Sequence, residues 1–167
     1  MADVTLVLDC MPALESGRNI VGEMMESAYL VEPLGPPLSL ESHTNLCDLA
    51  VGTSGLRIAV LVGRDGEEND QFVEVVFPTF RGFRYLDEGD LLRYWSSGMF
   101  DTSNYVVFEM KSGGWGRQEQ RNGMLNVTGA IGSYREWLII SGNACVNVIA
   151  QVEPLVRLIG TNGIWRA

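Results

Sequence analysis

Two stretches of this chain repeat one pattern: an apolar run, a short glycine turn, and a second apolar run. "NLCDLAVG" and "LRIAVLVG" flank "GTSG", and "EWLII" and "ACVNVIA" flank Ser141-Gly142-Asn143. Runs rich in β-branched residues and separated by such turns read as β-hairpins. "QFVEVVFPTF" (71–80) adds a strand of the same kind, "VTLVLDC" (4–10) another, and "PLVRLIG" near the end a further one. Residues 19–31 are ambiguous between helix and strand, with the strand favoured at their end. "EPLGPPLSLES" (32–42) is a loop, because three prolines and a glycine forbid a regular ladder.

The exception to the strand pattern is "FRGFRYLDEGDLLRYW" (80–95). Its first six residues alternate, with Arg81 on one face of a strand and Arg84 on the other. One of the two arginines is expected over an aromatic ring or paired with Glu88. Asp87 then stands as a helix N-cap, with Leu86 and Leu91 as a hydrophobic staple and Gly98 as the closing residue. The spacing predicts one short helix near 87–97, held down by Leu91, Leu92 and Trp95. After it, "NYVVFEMKSGGWGRQEQ" is expected to form another hairpin, with Trp115 at an exposed tip, and "NVTGAIGSY" a glycine-punctuated connection.

The sum is a single domain over residues 1–167 of α+β class. It is mainly antiparallel β, a packed sheet or half-open barrel built from hairpins, with one short helix. A chain of 167 residues suits one core rather than two.

Charge narrows function. The formal net charge is −9, and thirteen acids against three arginines in residues 1–79 contrast with eight acids against nine bases in the rest. Such a chain repels phosphate backbones, which disfavours nucleic acid, and its field accelerates encounter with basic proteins. No apolar run is long enough to span a membrane. No basic residue precedes the first apolar patch, so the chain is read as unexported and cytoplasmic. Three scattered cysteines, Cys10, Cys47 and Cys145, fit reduced thiols in the cytosol.

Catalytic signatures are missing: there is no nucleophile elbow, phosphate loop or zinc-protease motif. "ESHTNLCD" gathers Glu41, His43, Cys47 and Asp48, but no second cluster completes a metal site. No catalytic residue, metal or cofactor is assigned.

The composition therefore points to a non-catalytic acidic binding protein, of the kind that neutralises a basic partner as immunity or antitoxin proteins do. The acids of the loop "RDGEEND" (Asp65, Glu67, Glu68, Asp70), on solvated, mobile backbone, would steer the partner and Trp115 would anchor it. A small-ligand-binding β domain is the first alternative, its pocket or rim built from Arg81, Arg84, Tyr85, Glu88 and Trp95. An enzyme using the carboxylates of Asp87, Glu88 and Asp90 is the second. Self-association is compatible with all three readings.

Overall fold

The computed structural model describes residues 29–160 apart from 36, 40–43, 103, 132 and 133. The expected strand at 4–10, the first part of the ambiguous segment 19–31, and Cys10, Glu41 and His43 lie outside the described residues.

The described strands form two antiparallel sheets. We number them β1 (Leu30–Pro33), β2 (Asn45–Gly52), β3 (Gly55–Arg64), β4 (Asp70–Phe77), β5 (Gly82–Asp87), β6 (Val107–Ser112), β7 (Arg135–Ile140), β8 (Ala144–Ala150) and β9 (Leu155–Gly160). One sheet runs β1-β6-β7-β8-β5 and the other β2-β3-β4-β9. Both glycine-turn hairpins form as their sequences predict, β2 with β3 and β7 with β8. Gly55 closes the first with a φ of +105°, and a Cβ there would stand 2.0 Å from the Phe77 carbonyl oxygen, so only glycine fits.

The two sheets face each other across an apolar layer. Leu56, Ile58, Val73, Val75 and Phe77 from the smaller sheet meet Trp137, Ile139, Val146 and Val148 from the larger. Each set recurs at every second residue, as a pleated strand requires. The larger sheet has a second apolar cluster on its other face, where Leu138, Ile140, Cys145 and Phe108 pack with Leu91, Tyr94 and Tyr29. Its central strands β7 and β8 are therefore buried on both faces, which explains why they read as mainly apolar runs.

Three short α-helices occur among the described residues, where one was expected. The predicted helix at 87–97 is a 3-10 turn at Glu88–Asp90 followed by α1 (Leu92–Ser96). Asp87 caps it as expected, accepting from the Gly89 amide at 3.0 Å, and Gly98 ends it at a φ of +66°. The packing expectation is corrected. Leu91 and Tyr94 are buried, whereas Leu92 and Trp95 are exposed. The 3-10 turn advances three residues per turn instead of 3.6 and so rotates the phase of the helix that it leads into.

The hairpin expected around Trp115 is also corrected. No strand returns from it; the chain forms α2 (Trp115–Arg121), and "NVTGAI" forms α3 (Asn126–Ile131). The segment "WGRQEQR" holds no β-branched residue and is rich in the good helix formers Gln, Glu and Arg, so its local preference is helical.

Candidate recognition surface

The run from β5 through α1 has one face turned into the protein and one turned to solvent. Its inner side is apolar and polar in turn. Leu86 and Leu91 join the apolar cluster under α1. Arg84 reaches inward from β5, where Nη2 donates to the Tyr94 hydroxyl and to Asn147 Oδ1, each at 3.0 Å. Its guanidinium lies over the Trp115 ring at 5.3 Å, which is the aromatic pairing that the alternation of β5 suggests.

Asn147 is fully buried and bridges to a second charge. Its Nδ2 donates to Glu136 Oε1 at 2.8 Å. Glu136 also accepts from the backbone amides of Trp115 and Gly116, at 2.9 and 2.8 Å, and so seats the first turn of α2 on the sheet. Gly114 allows this approach, since a Cβ there would stand 2.2 Å from the carboxylate. Burial pushes the Glu136 pKa up, while its N–H donors and Arg84 pull it down. Burial likewise raises the Tyr94 hydroxyl. Three donors occupy the two oxygens of Glu136, so this carboxylate is committed to holding α2 rather than to proton transfer. A cavity of about 240 Å³ beside it is lined by Glu109, Lys111, Arg117 and Arg135. Glu109 there is bound by Arg135 and Lys111, which hold its carboxyl down to about 2.

The outer side of the same run is different in kind. Leu92 is 70% exposed and Trp95 43%, whereas Tyr85, also exposed, lies on the opposite face of β5 with Phe83. Leu92 and Trp95 are three residues apart on one helix and share a face. Asp87, Glu88 and Asp90 are exposed just before them, and none of the three forms an ion pair among the described residues. Large apolar side chains set among unpaired acids make an uncommon surface for a helix of five residues.

The other expected site residues fall elsewhere. Trp115 is not an exposed tip: it is half-buried at the start of α2 beneath Arg84, with its indole N–H donating to Glu119 at 3.0 Å. The acidic loop between β3 and β4 is a hydrogen-bonded turn rather than free solvated chain. Asp65 accepts from the amides of Asn69 and Glu67, and these bonds lower its pKa. Asp70 pairs with Arg64, which leaves Glu67 and Glu68 as exposed acids of the loop. Arg81 is exposed at the start of β5.

The charge split of the sequence does not survive as two territories. On the smaller sheet Glu74 is held by Arg57 and by Arg157 from the far end of the chain, and Asp48 by Arg57. Burial pushes Glu74 up, but the two arginines overcome it and its pKa is lowered. Lys111 reaches Glu32 in the same way across the two halves. Asp48 is thereby occupied by an arginine, and the Cys47 thiol donates to the Asn45 carbonyl at 3.3 Å. Among the described residues no group of His, Cys, Asp and Glu could hold a metal ion, and no helix is long and apolar enough to cross a membrane.

Comparison with family models, with curated proteins and with solved structures gives no match.

Proposed function

We propose that this is a non-catalytic binding protein that recognises a basic protein through the outward face of α1. It would act as a neutraliser of that partner in the manner of an immunity or antitoxin protein. The observation that carries the reading is the exposure of Leu92 and Trp95 beside Glu88 and Asp90, on a helix whose opposite side is fixed by Leu91 and Tyr94. A tryptophan and a leucine on a rigid support supply the desolvated anchor that binding energy concentrates on. The unpaired acids beside them would attract and orient a basic patch. Free Cys47 and Cys145 suit a reducing cytosol as the place of action.

The alternatives draw less support. The apolar-lined cavity near Leu34, Leu38 and Val156 holds only about 70 Å³, and the hollow of about 320 Å³ beside Arg81 is bordered by Thr79, Phe80 and Gln151, without the predominantly aromatic and apolar lining expected of a ligand pocket. The carboxylates of Asp87, Glu88 and Asp90 are all exposed at the start of the helix, where Asp87 is taken up as the cap.

The test is a pull-down from the native cytosol with the immobilised protein. Recovery of a basic protein by the unaltered chain, lost with Leu92→Ala/Trp95→Ala, supports the reading. Its association rate should also fall as salt shortens the Debye length to about 8 Å. Recovery of no basic protein, or equal recovery by the double variant, contradicts it.

A further inference from the structure

The edges of the two sheets are not protected alike. β1 is four residues long, ends in Pro33 and is bulged between Leu30 and Val31. β2 carries a bulge between Leu46 and Asp48. β9 runs beside the loop after β1, whose Leu34, Gly35 and Leu38 line one cavity with Val156 and Leu158. β5 has no such device. It pairs with β8 over six consecutive residues without a register shift and contains neither proline nor lysine. Along its other side it makes no backbone hydrogen bond to another strand among the described residues. Alternate N–H and C=O groups of a paired strand point away from its partner, so this side can take one more strand.

Two side-chain observations describe what that edge lacks. Phe83 and Tyr85 lie opposite Val148 and Val146, on the face toward the smaller sheet, where Phe83 packs on the shared core. Tyr85 is nevertheless 51% exposed, so the apolar cover ends short of the β5 edge. On the other face Arg84 stands between Gly82 and Leu86, and its Nε is buried with no hydrogen-bond partner among the described residues. A strand that completes this edge needs apolar side chains on the first face and an acceptor on the second.

The chain carries such a segment ahead of Tyr29. In "VTLVLDC" (4–10) Leu6, Leu8 and Cys10 alternate with Thr5, Val7 and Asp9, and Pro12 follows. Set antiparallel to β5 with Asp9 opposite Arg84, the segment has Leu8 opposite Tyr85, Cys10 opposite Phe83 and Val7 opposite Leu86. Apolar groups then meet apolar groups, the carboxylate comes beside the unpartnered Nε, and Pro12 falls beyond Gly82, past the end of β5. A shift of one residue moves Asp9 to the face of Phe83 and Tyr85, and a shift of two sets it against Gly82 or Leu86. A parallel alignment about the same pair draws Pro12 into the ladder opposite Asp87 and pairs slightly less stably. The connection is long enough. Tyr29 packs on Tyr94 with ring centroids 5.3 Å apart, and the Tyr94 hydroxyl accepts from Arg84 of β5. Residues 11–28 reach about 60 Å when extended, whereas the strand spacings from β1 to β5 come to about 19 Å. We infer that residues 4–10 add an antiparallel strand to the larger sheet at β5, with Asp9 facing Arg84.

Hydrogen exchange read amide by amide by nuclear magnetic resonance on the full chain tests this without any partner protein. Amides on both sides of β5, from Phe83 to Leu86, should be protected together with alternate amides of residues 5–9, and equally so at every protein concentration. Overhauser contacts should join Leu8 to Tyr85. Leu8→Asp sets a charge beside Tyr85 and should speed exchange at the outward β5 amides by about tenfold or more, with β3 and β4 unchanged. A chain lacking residues 1–11 should show the same loss. Outward β5 amides that exchange freely in the unaltered chain overturn the inference. Protection that survives both variants does so too, as does protection that rises with concentration, which would mark a second copy at the edge.

Discussion

Leu91 and Leu92 are neighbours with the same side chain, and the fold places them in opposite surroundings. Leu91 is fully buried against Tyr94, Leu138 and Ile140, whereas Leu92 is 70% exposed. Truncating a buried leucine removes its transfer free energy and leaves a cavity, so Leu91→Ala should cost about 3 kcal/mol. Leu92 hides less than a third of its surface. At about 25 cal/mol per Å² that fraction contributes about 1 kcal/mol at most, and the better helix propensity of alanine returns a few tenths. Leu92→Ala should therefore lower stability by less than about 1 kcal/mol. Urea denaturation followed by tryptophan fluorescence reads both, with the slope unchanged and the midpoint moved. Equal costs for the two leucines, or a larger cost at Leu92, would refute the orientation of α1 and with it the surface assigned to its outer face.

Three further outcomes concern the buried and paired groups. Glu136→Ala should cost about 3 kcal/mol or more, because the Trp115 and Gly116 amides and Asn147 Nδ2 lose their acceptor, and hydrogen exchange should quicken across α2. The Glu109 carboxyl is held down to about 2 by Arg135, then Lys111, against 4.5 when unfolded. Its contribution is whole above 4.5 and disappears as the pH falls from there toward 2, so Glu109→Gln should lose the part of the acid denaturation profile in that window. Cys47 is exposed, whereas burial pushes the Cys145 thiol up to about 12, so a thiol reagent at mild pH should modify Cys47 in the native protein and Cys145 only on unfolding.

How far the sequence discloses this molecule depends on the range of each signal. The hairpins β2–β3 and β7–β8 were legible because apolar run, turn and apolar run are contiguous. The Asp87 cap and Gly98 stop were legible for the same reason. The side that α1 buries was not, since a 3-10 turn of three residues shifts the phase and leaves no mark in the apolar spacing. The glycines around Trp115 suggested a hairpin tip, and the helix-favouring run after it was outweighed. Asn147 did carry a signal, as the one polar residue of a strand otherwise apolar on both faces, and Glu136 a weaker one, because Arg135 beside it makes the start of β7 read as polar. What the sequence could not supply is their company, because Arg84, Tyr94 and Trp115 arrive from three other elements. The charge split misled for a related reason, as antiparallel pairing carries Arg157 to Glu74.

The recognition surface is tested most directly by hydrogen–deuterium exchange on the complex with the basic protein that the pull-down recovers. The account predicts slowed exchange confined to residues 88–96, with the loop at 64–70 unchanged or weakly affected. Protection elsewhere, with residues 88–96 exchanging as in the free protein, would contradict it.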